Sequence, residues 1–344
     1  MSPHTFLVPK DHTLENILHF ANDLATGSHT AEEFIFDFQS SKGLATPFGM
    51  LYLGYAIRQF AAARHGAKIT ARNIDKVNYA AHMGFYQCCG FEVGNPPGKA
   101  KGSNTYLPVT ILKVEELREQ ARRDAREVGD VIEERSQQLA RILTQEELGA
   151  TTEVLAYSLR EMIRNVVEHS QSPEVAYCAQ YHPLKKQAEL AILDMGVGVR
   201  ATLTQNPHLT VHDDREALNL AVMPGISSKM YKGIKKRDYD VWQNSGYGLF
   251  VVSRLCGHEG KFLIVSGDKA LSLKPDMREY HEAKFSGTAV RLNLSSKNIS
   301  SLPKTMKSIM QEGDEIARSL KAVENDPAPV ASRMLANEFS KGKK

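Results

Sequence analysis

Short apolar runs alternate with longer amphipathic stretches along the first hundred residues. The short runs are rich in Phe, Ile and Val and end at glycine or polar clusters, which is typical of strands. The longer stretches repeat their apolar residues at helical spacing. In chain order the pattern predicts a strand over 33–38, a helix over 47–64, a strand over 67–71, a helix over 78–89 and a strand over 105–112. This alternation predicts a small α/β domain over residues 1–112.

Residues 113–144 are dense in charge, contain no proline and have helix-forming composition. Their apolar positions recur at mixed spacings, which argues against a long coiled coil. The stretch predicts a connecting helix that packs on one domain or on a second subunit. Residues 145–295 again alternate helical and strand patterns, and residues 296–344 form a polar tail with one possible helix.

Composition narrows the class of protein. A chain of 344 residues favours two domains, and 42% apolar with 24% charged residues is an ordinary globular composition. A formal net charge of +3 does not indicate a nucleic-acid partner, although it leaves room for a local basic patch. We expect no membrane span, because no stretch approaches the roughly 20 apolar residues that a span requires. The four cysteines lack metal-site spacing, so we expect free thiols and a cytoplasmic protein.

Candidate chemistry begins in the helical stretch before residue 170. Glu161, Asn165 and His169 are spaced by four, which aligns a carboxylate, an amide and an imidazole on one stripe of a helix. The opposite stripe is apolar and would face the core. A carboxylate one turn from an amide suits a general base beside a hard cation such as Mg²⁺.

Three further signatures follow in order. Asp194 ends an apolar strand and is followed by Gly196 and Gly198, where a Cβ would obstruct a ligand. Gly246, Gly248 and Leu249 open an apolar helix, and a glycine turn at a helix N-terminus is an anion site. Thr288, in Ser-Gly-Thr, precedes an alternating strand.

Between the second and third signatures lies a run of basic residues: Lys229, Lys232, Lys235, Lys236 and Arg237. Such a run is often a solvated face. Its position between two glycine signatures favours contact with phosphates. An acidic partner or nucleic acid is the alternative.

In this order, the four signatures resemble the ATP-binding domain shared by gyrase, heat-shock chaperones, histidine kinases and mismatch-repair ATPases, the GHKL superfamily. The resemblance covers residues 145–295 and implies a two-layer α/β sandwich of the Bergerat type. It also implies that ATP and Mg²⁺ are bound.

The resemblance assigns a role to each position. Asn165 would coordinate Mg²⁺, and Glu161 would polarise the attacking water. Asp194 would accept a hydrogen bond from the adenine amino group, with Gly196 and Gly198 close to the base and Thr288 reaching it. Lys229 would belong to a lid over the phosphates, which Gly246, Gly248 and Leu249 would also contact. His169 would approach the phosphates or cap its helix.

The first domain resembles the small α/β domains of anti-sigma-factor antagonists (STAS domains), through residues 34–38 leading into a helix. Such domains are partners of GHKL-type kinases that phosphorylate a serine at the start of that helix, where Ser40, Ser41 and Thr46 lie. Residues 84–93 are similar to a segment of acetyltransferases, but the loop that binds acetyl-CoA pyrophosphate is missing upstream.

Several functions fit these features. The leading hypothesis is an ATPase whose nucleotide state switches a partner protein or a second subunit. A role in a prokaryotic stress or defence system is a further hypothesis, which rests on analogy of architecture alone. The alternatives are a protein serine kinase of the anti-sigma type and a non-catalytic, nucleotide-gated interaction module. A sensor histidine kinase is disfavoured because residues 114–143 contain no histidine. A topoisomerase or mismatch-repair ATPase is disfavoured because only a polar tail follows residue 295.

Overall fold

The computed structural model describes residues 2–27, 30–39, 45–75, 78–147, 149–227, 247–295 and 302–319. These residues form a mixed α/β fold with a three-stranded parallel sheet and a five-stranded antiparallel sheet. The expectation of a mixed α/β fold is confirmed.

The parallel sheet is built by the first 72 residues. Its elements are β1 (His4–Leu7), α1 (Leu14–Thr26), β2 (Glu33–Asp37), α2 (Pro47–Ala62) and β3 (Lys68–Arg72). The strands lie in the order β1-β2-β3, and α1 and α2 pack against each other on one face of the sheet. Phenylalanines of the strands fill the space beneath those helices: Phe6, Phe34 and Phe36 pack around Phe60 of α2.

The helix expected over 78–89 is two short helices, α3 (Tyr79–His82) and α4 (Phe85–Cys88). Gly84 separates them with a φ of +85°, a left-handed conformation that a continuous α-helix does not contain. The strand expected over 105–112 is present as β4 (Tyr106–Lys113).

β4 does not join the strands that precede it. It pairs antiparallel with β5 (Glu174–His182) at the edge of the larger sheet. Leu107 and Val109 of β4 pack into two different cores, one on each side of that sheet. The strand therefore has both faces covered in this position, whereas the parallel sheet carries helices on one face.

The stretch expected as one connecting helix contains two, α5 (Val114–Arg123) and α6 (Val128–Thr144). The chain turns between them at Ala125, which has a φ of +49°. α6 packs along α7 (Ala150–His169), so this stretch covers the same unit as the candidate site.

The remaining elements build the larger sheet and its cover. They are β6 (Gln187–Asp194), α8 (Gly198–Leu203), α9 (Asp214–Ala221), α10 (Gly248–Glu259), β7 (Gly260–Lys274), β8 (Met277–Ser295) and α11 (Leu302–Ser319). The strand order is β4-β5-β6-β8-β7. α6, α7 and α10 pack on one face of the sheet, and α1 and α2 pack on the other.

Polar contacts as well as apolar packing join α2 to the larger sheet. The backbone N–H of Phe48, in the first turn of α2, donates to Glu189 Oε1 on β6 at 3.0 Å. The Tyr55 hydroxyl donates to Glu174 Oε1 on β5 at 2.7 Å. The two sheets thus share the layer formed by α1 and α2.

None of the helices in the described part of the chain is long and apolar enough to cross a membrane. All four cysteines are buried free thiols, and burial raises the pKa of each.

Candidate functional site: a pocket beneath helix α7

A pocket lies between α7, strands β6 and β8, the α8–α9 segment and the start of α10. Its empty volume, counted with the open mouth, is about 1010 Å³. Six of the residues singled out by the sequence line it: Glu161, Asn165, Asp194, Gly248, Leu249 and Thr288. Four signatures spread over the chain therefore contribute to one site.

The walls of the pocket are mainly aliphatic. They include Met162, Val166, Ile192, Val199, Leu203, Ile226, Ile264 and Val290. A few polar groups in an apolar cleft are the usual composition of a small-molecule site, where the apolar walls supply affinity and the polar groups fix orientation.

Asp194 is the polar group at the end of β6. It is 4% exposed, and it lies opposite Thr288 in the β6–β8 ladder. Burial raises the pKa of its carboxyl to about 6, while the backbone N–H of Gly196 and the hydroxyls of Ser170 and Thr288 oppose that rise. The Gly196 N–H donates to Asp194 Oδ1 at 2.8 Å. Asp194 lines the pocket, and a carboxylate there can accept a hydrogen bond from a ligand.

The two glycines after Asp194 are required by close contacts. A Cβ on Gly196 would collide with the carbonyl group of Ser170. Gly198 has a φ of +80°, and a Cβ there would lie 2.8 Å from Ser266 Oγ. These glycines allow the chain to turn tightly between Asp194 and α8.

Helix α7 carries the next group of polar residues. Glu161 is 2% exposed, whereas Asn165, one turn later, is exposed and lines the pocket. Arg160 lies beside Glu161, with its Nη2 3.6 Å from Glu161 Oε1. The same guanidinium forms a 3.0 Å ion pair with Glu133 of α6, which adds to the packing of α6 against α7.

The start of α10 lies directly against α7. A Cβ on Gly248 would lie 2.6 Å from the Cβ of Glu161. Glycine is therefore needed for this approach, and it brings the N-terminus of α10 next to Glu161. Among the described residues, no side chain caps the first turn of α10. The N–H groups and the dipole at such a terminus favour an anion.

The pocket runs along the C-terminal half of α7. Glu161 is near its α10 end, and Ser170, which follows α7, is beside Asp194. Nine helical residues span roughly 13 Å at a rise of 1.5 Å each. The site thus suits an elongated ligand with a hydrogen-bond donor at one end and negative charge at the other.

Five predicted site residues are not among those that line the pocket. Gly196 and Gly198 form the turn after Asp194, and the other three lie wholly or partly outside the described residues. Lys229 and Gly246 lie outside the described residues, as do the other basic residues of the 228–246 stretch. His169 is the last residue of α7, but its side chain also lies outside the described part. Ser40 and Ser41 fall in another such gap, whereas Thr46 caps α2 by accepting from the Gly49 N–H at 3.1 Å.

The sequence interpretation missed two serines that shape the site. Ser266 on β7 accepts from the Val199 N–H at 2.9 Å and donates to the Gly287 carbonyl at 2.7 Å, so it ties α8 to the Ser-Gly-Thr turn. Ser170 stabilises Asp194, and its carbonyl accepts from the Val197 N–H at 2.8 Å. Isolated serines carry no periodic signal, although the position of Ser170 just after the α7 signature was a usable clue.

Among the described residues, no three or more His, Cys, Asp or Glu side chains are grouped so that they could hold a metal ion. Asn165 is the residue that suits a hard cation, and it supplies one oxygen. Mg²⁺ commonly binds through one or two protein oxygens, with phosphate and water oxygens completing its octahedron. Asn165 can therefore supply one oxygen to such a cation, and the remaining ligands would come from a bound molecule and water.

The chain matches no model of a known protein family, and no curated protein matches it in sequence.

Proposed function

We propose that this chain binds Mg²⁺-ATP in the pocket beneath α7 and hydrolyses it, and that nucleotide binding acts as a conformational switch. The observation that carries the proposal is the convergence of Glu161, Asn165, Asp194, Gly248 and Thr288 on one pocket. We further propose that residues 145–295 have the Bergerat-type fold of GHKL ATPases, and that the first unit is STAS-like.

The Asp194 end supports recognition of adenine. Adenine presents an amino donor, and a buried carboxylate that is ionised at neutral pH is a strong acceptor for it. Guanine presents a carbonyl oxygen at the corresponding position, which would face the carboxylate as a second acceptor. The aliphatic walls suit the faces of a purine ring.

The other end supports binding of phosphates. The start of α10 and the exposed amide of Asn165 lie at this end of the pocket. Asn165 and the phosphates would hold Mg²⁺, which supplies charge neutralisation at the transferred phosphoryl group.

Glu161 is the residue that favours hydrolysis over binding alone. Its carboxylate lies one turn from Asn165 and beside the start of α10, at the phosphate end of the pocket. In the proposed reaction it orients a water and takes its proton, while the oxygen of that water bonds to the γ-phosphorus and the bond to ADP breaks. The guanidinium of Arg160 lies beside this carboxylate, with Nη2 3.6 Å from Glu161 Oε1.

The packing of α2 supports a switch. Strand β6 ends at Asp194 in the pocket, and its opposite face carries Glu189, which accepts from the first turn of α2. Met195, the residue after Asp194, is contacted by Gln59 of α2, with Nε2 3.7 Å from Sδ. A ligand that moves the end of β6 would therefore move contacts to the first unit.

The proposal is tested by phosphate release from γ-labelled ATP with Mg²⁺, with the protein resolved on a gel in the same experiment. Wild type should release free phosphate and stay unlabelled. Glu161→Gln should bind ATP but lose turnover by roughly 10²–10⁴-fold. Glu153→Gln, at an exposed position on the same helix, is the matched control and should behave as wild type.

Three results would contradict parts of the proposal. Label on the protein, or on a protein added to it, would indicate a kinase. ATP binding without phosphate release would indicate a nucleotide-gated module. Equal turnover in wild type and Glu161→Gln would remove Glu161 from the mechanism.

A further inference from the structure

Helix α11 packs on the two helices that carry the phosphate end of the pocket. It contacts α10 and also reaches α7. Ile309 of α11 is 2% exposed, and Met310 and Ile316 pack against the same core. The sequence predicted only a possible helix here and gave it no role.

Tyr247 is the point where α11 meets the start of α10. It is the residue before Gly248, and it is 2% exposed. Its hydroxyl lies within hydrogen-bond distance of two acceptors on α11, the Gly313 carbonyl oxygen at 3.4 Å and Asp314 Oδ1 at 3.3 Å. The backbone carbonyl of Tyr247 accepts from the Val251 N–H at 2.8 Å, so Tyr247 is also part of the first turn of α10.

Gly313 allows α11 to approach this closely. A Cβ on Gly313 would lie 2.8 Å from Phe250 Cε1 and 3.0 Å from Tyr247 Cε1. A glycine within a helix is less favourable than alanine by roughly 1 kcal/mol, so its presence on the contact face of α11 needs a reason. The contact with the two rings supplies that reason. One turn after Phe250, Arg254 of α10 forms a 2.9 Å ion pair with Glu312 of α11, which is a second contact between the two helices.

These contacts connect α11 to the candidate site in a continuous series. α11 holds Tyr247 through Gly313 and Asp314, Tyr247 leads into Gly248, and Gly248 packs on Glu161. These contacts fix where the start of α10 lies, and so they set the direction of the N–H groups in its first turn.

We propose that α11 holds the start of α10 in the orientation that binds phosphates. Tyr247 is the positioning residue, because it connects α11 to the first turn of α10. This inference rests on the proposed function. It assigns α11 to the phosphate end of the site and predicts no role for it at the adenine end, where Asp194 and Thr288 are held by β6 and β8.

The test compares ATP with adenosine, which lacks phosphates. Calorimetric titrations in the presence of Mg²⁺ would use wild type, Tyr247→Phe and Gly313→Ala. Tyr247→Phe removes the hydroxyl alone, whereas Gly313→Ala raises intrinsic helix propensity and introduces the clash. Both variants should bind ATP about tenfold more weakly, within the range of helix-terminus effects on anions, and bind adenosine within twofold of wild type.

Two control variants match the changes. Tyr106, on β4, is not among the residues that line the pocket, and Tyr106→Phe removes a hydroxyl that donates to the Lys101 carbonyl at 3.1 Å. Gly129→Ala adds a methyl group on α6, where no atom lies within 4 Å of the new Cβ. Both should bind ATP and adenosine as wild type does.

Unchanged ATP affinity in both site variants would overturn the inference and leave the proposed function intact. An equal loss of ATP and adenosine affinity would also overturn it, because the role of α11 would then be general stabilisation. If Gly313→Ala fails to fold, the ATP-to-adenosine ratio of Tyr247→Phe decides. If wild type binds neither ligand, the proposed function itself is wrong, and this inference is wrong with it.

Discussion

Asp194 and Thr288 lie directly opposite each other on adjacent antiparallel strands, where the Thr288 hydroxyl stabilises the buried Asp194 carboxylate. They are 94 residues apart in the chain (288 − 194), yet the ladder between β6 and β8 fixes their separation. The sheet, rather than a loop, therefore holds this end of the pocket, and the carboxylate is pre-organised before any ligand arrives.

The buried charge of Asp194 should cost the ligand-free protein stability. Because burial raises its pKa from 3.8 to about 6, its ionisation at pH 7 opposes folding. Asp194→Asn should therefore raise the free energy of unfolding without nucleotide by about 1–3 kcal/mol, as measured by urea denaturation. Asp276→Asn, at an exposed turn position, should change it little. A clear loss of stability in Asp194→Asn would contradict the desolvation argument.

Acidification should change the contributions of Asp194 and His12 to the free energy of unfolding in opposite directions. The raised pKa of Asp194 gives a contribution to stability that is complete below about pH 4 and is lost as pH rises through 6. Burial lowers the pKa of His12 from 6.5 to about 4, so its contribution is present above pH 6.5 and is lost as pH falls through 4. Each contribution is on the order of 2–3 kcal/mol, and they change in opposite directions between pH 4 and 6.

Single variants should separate these contributions. Asp194→Asn should steepen the acid loss of stability between pH 6 and 4, because the His12 contribution remains. His12→Asn, which keeps an acceptor for the Thr46 N–H, should reduce that loss. The measurement is the urea midpoint at several pH values. Parallel curves for all three proteins would show that neither group has the pKa assigned to it.

Gly248→Ala should disturb the contact between α10 and α7. The new methyl group would lie 2.6 Å from the Glu161 Cβ, so the helices must separate or tilt. We expect a loss of about 1–3 kcal/mol in unfolding free energy and weaker ATP binding. Gly257→Ala is the control within the same helix, because its nearest neighbour is 3.6 Å away, at ordinary contact distance. It should be neutral or stabilising by up to about 1 kcal/mol. Equal behaviour of the two variants would remove the special role of Gly248.

Glu189 should anchor the first unit to the sheet. It accepts from the Phe48 N–H and forms a 2.6 Å ion pair with Arg291, whose side chain is only 18% exposed. Glu189→Gln keeps an acceptor for Phe48 but leaves the arginine without its counter-charge, so unfolding free energy should fall by about 2–3 kcal/mol. Glu282→Gln breaks a pair with Lys269 in which the carboxylate is 80% exposed, so it should have a smaller effect in the same denaturation experiment.

Local elements were predictable where their pattern was strong. The runs that became β2, α2 and β6 have clear apolar periodicity, and their positions agree with the prediction to within about two residues. β1 and α1 were not assigned, because β1 has only four residues and their pattern mixes polar with apolar positions. Thr13 is the sequence signal for the start of α1, because its hydroxyl accepts from the Asn16 N–H as an N-cap does.

Long-range relationships were not predictable in the same way. Hydrophobic pattern identifies β4 as a strand but does not say which sheet it joins, because each residue of β4 pairs with a partner 61 or more residues away (174 − 113). The Tyr247–Gly313 contact spans 66 residues. Sequence signatures could therefore nominate Asp194 and Asn165, whereas the supporting contacts of Ser266 and Tyr247 required the folded chain.

The central claim is that Asp194 recognises the base of ATP. Its most direct test is a calorimetric titration of wild type, Asp194→Asn and the Asp276→Asn control with ATP in the presence of Mg²⁺. We predict saturable binding to wild type and to the control, and an affinity at least about tenfold weaker for Asp194→Asn, because a charge-assisted hydrogen bond is lost. Equal affinity of wild type and Asp194→Asn, or no binding by wild type, would contradict the account.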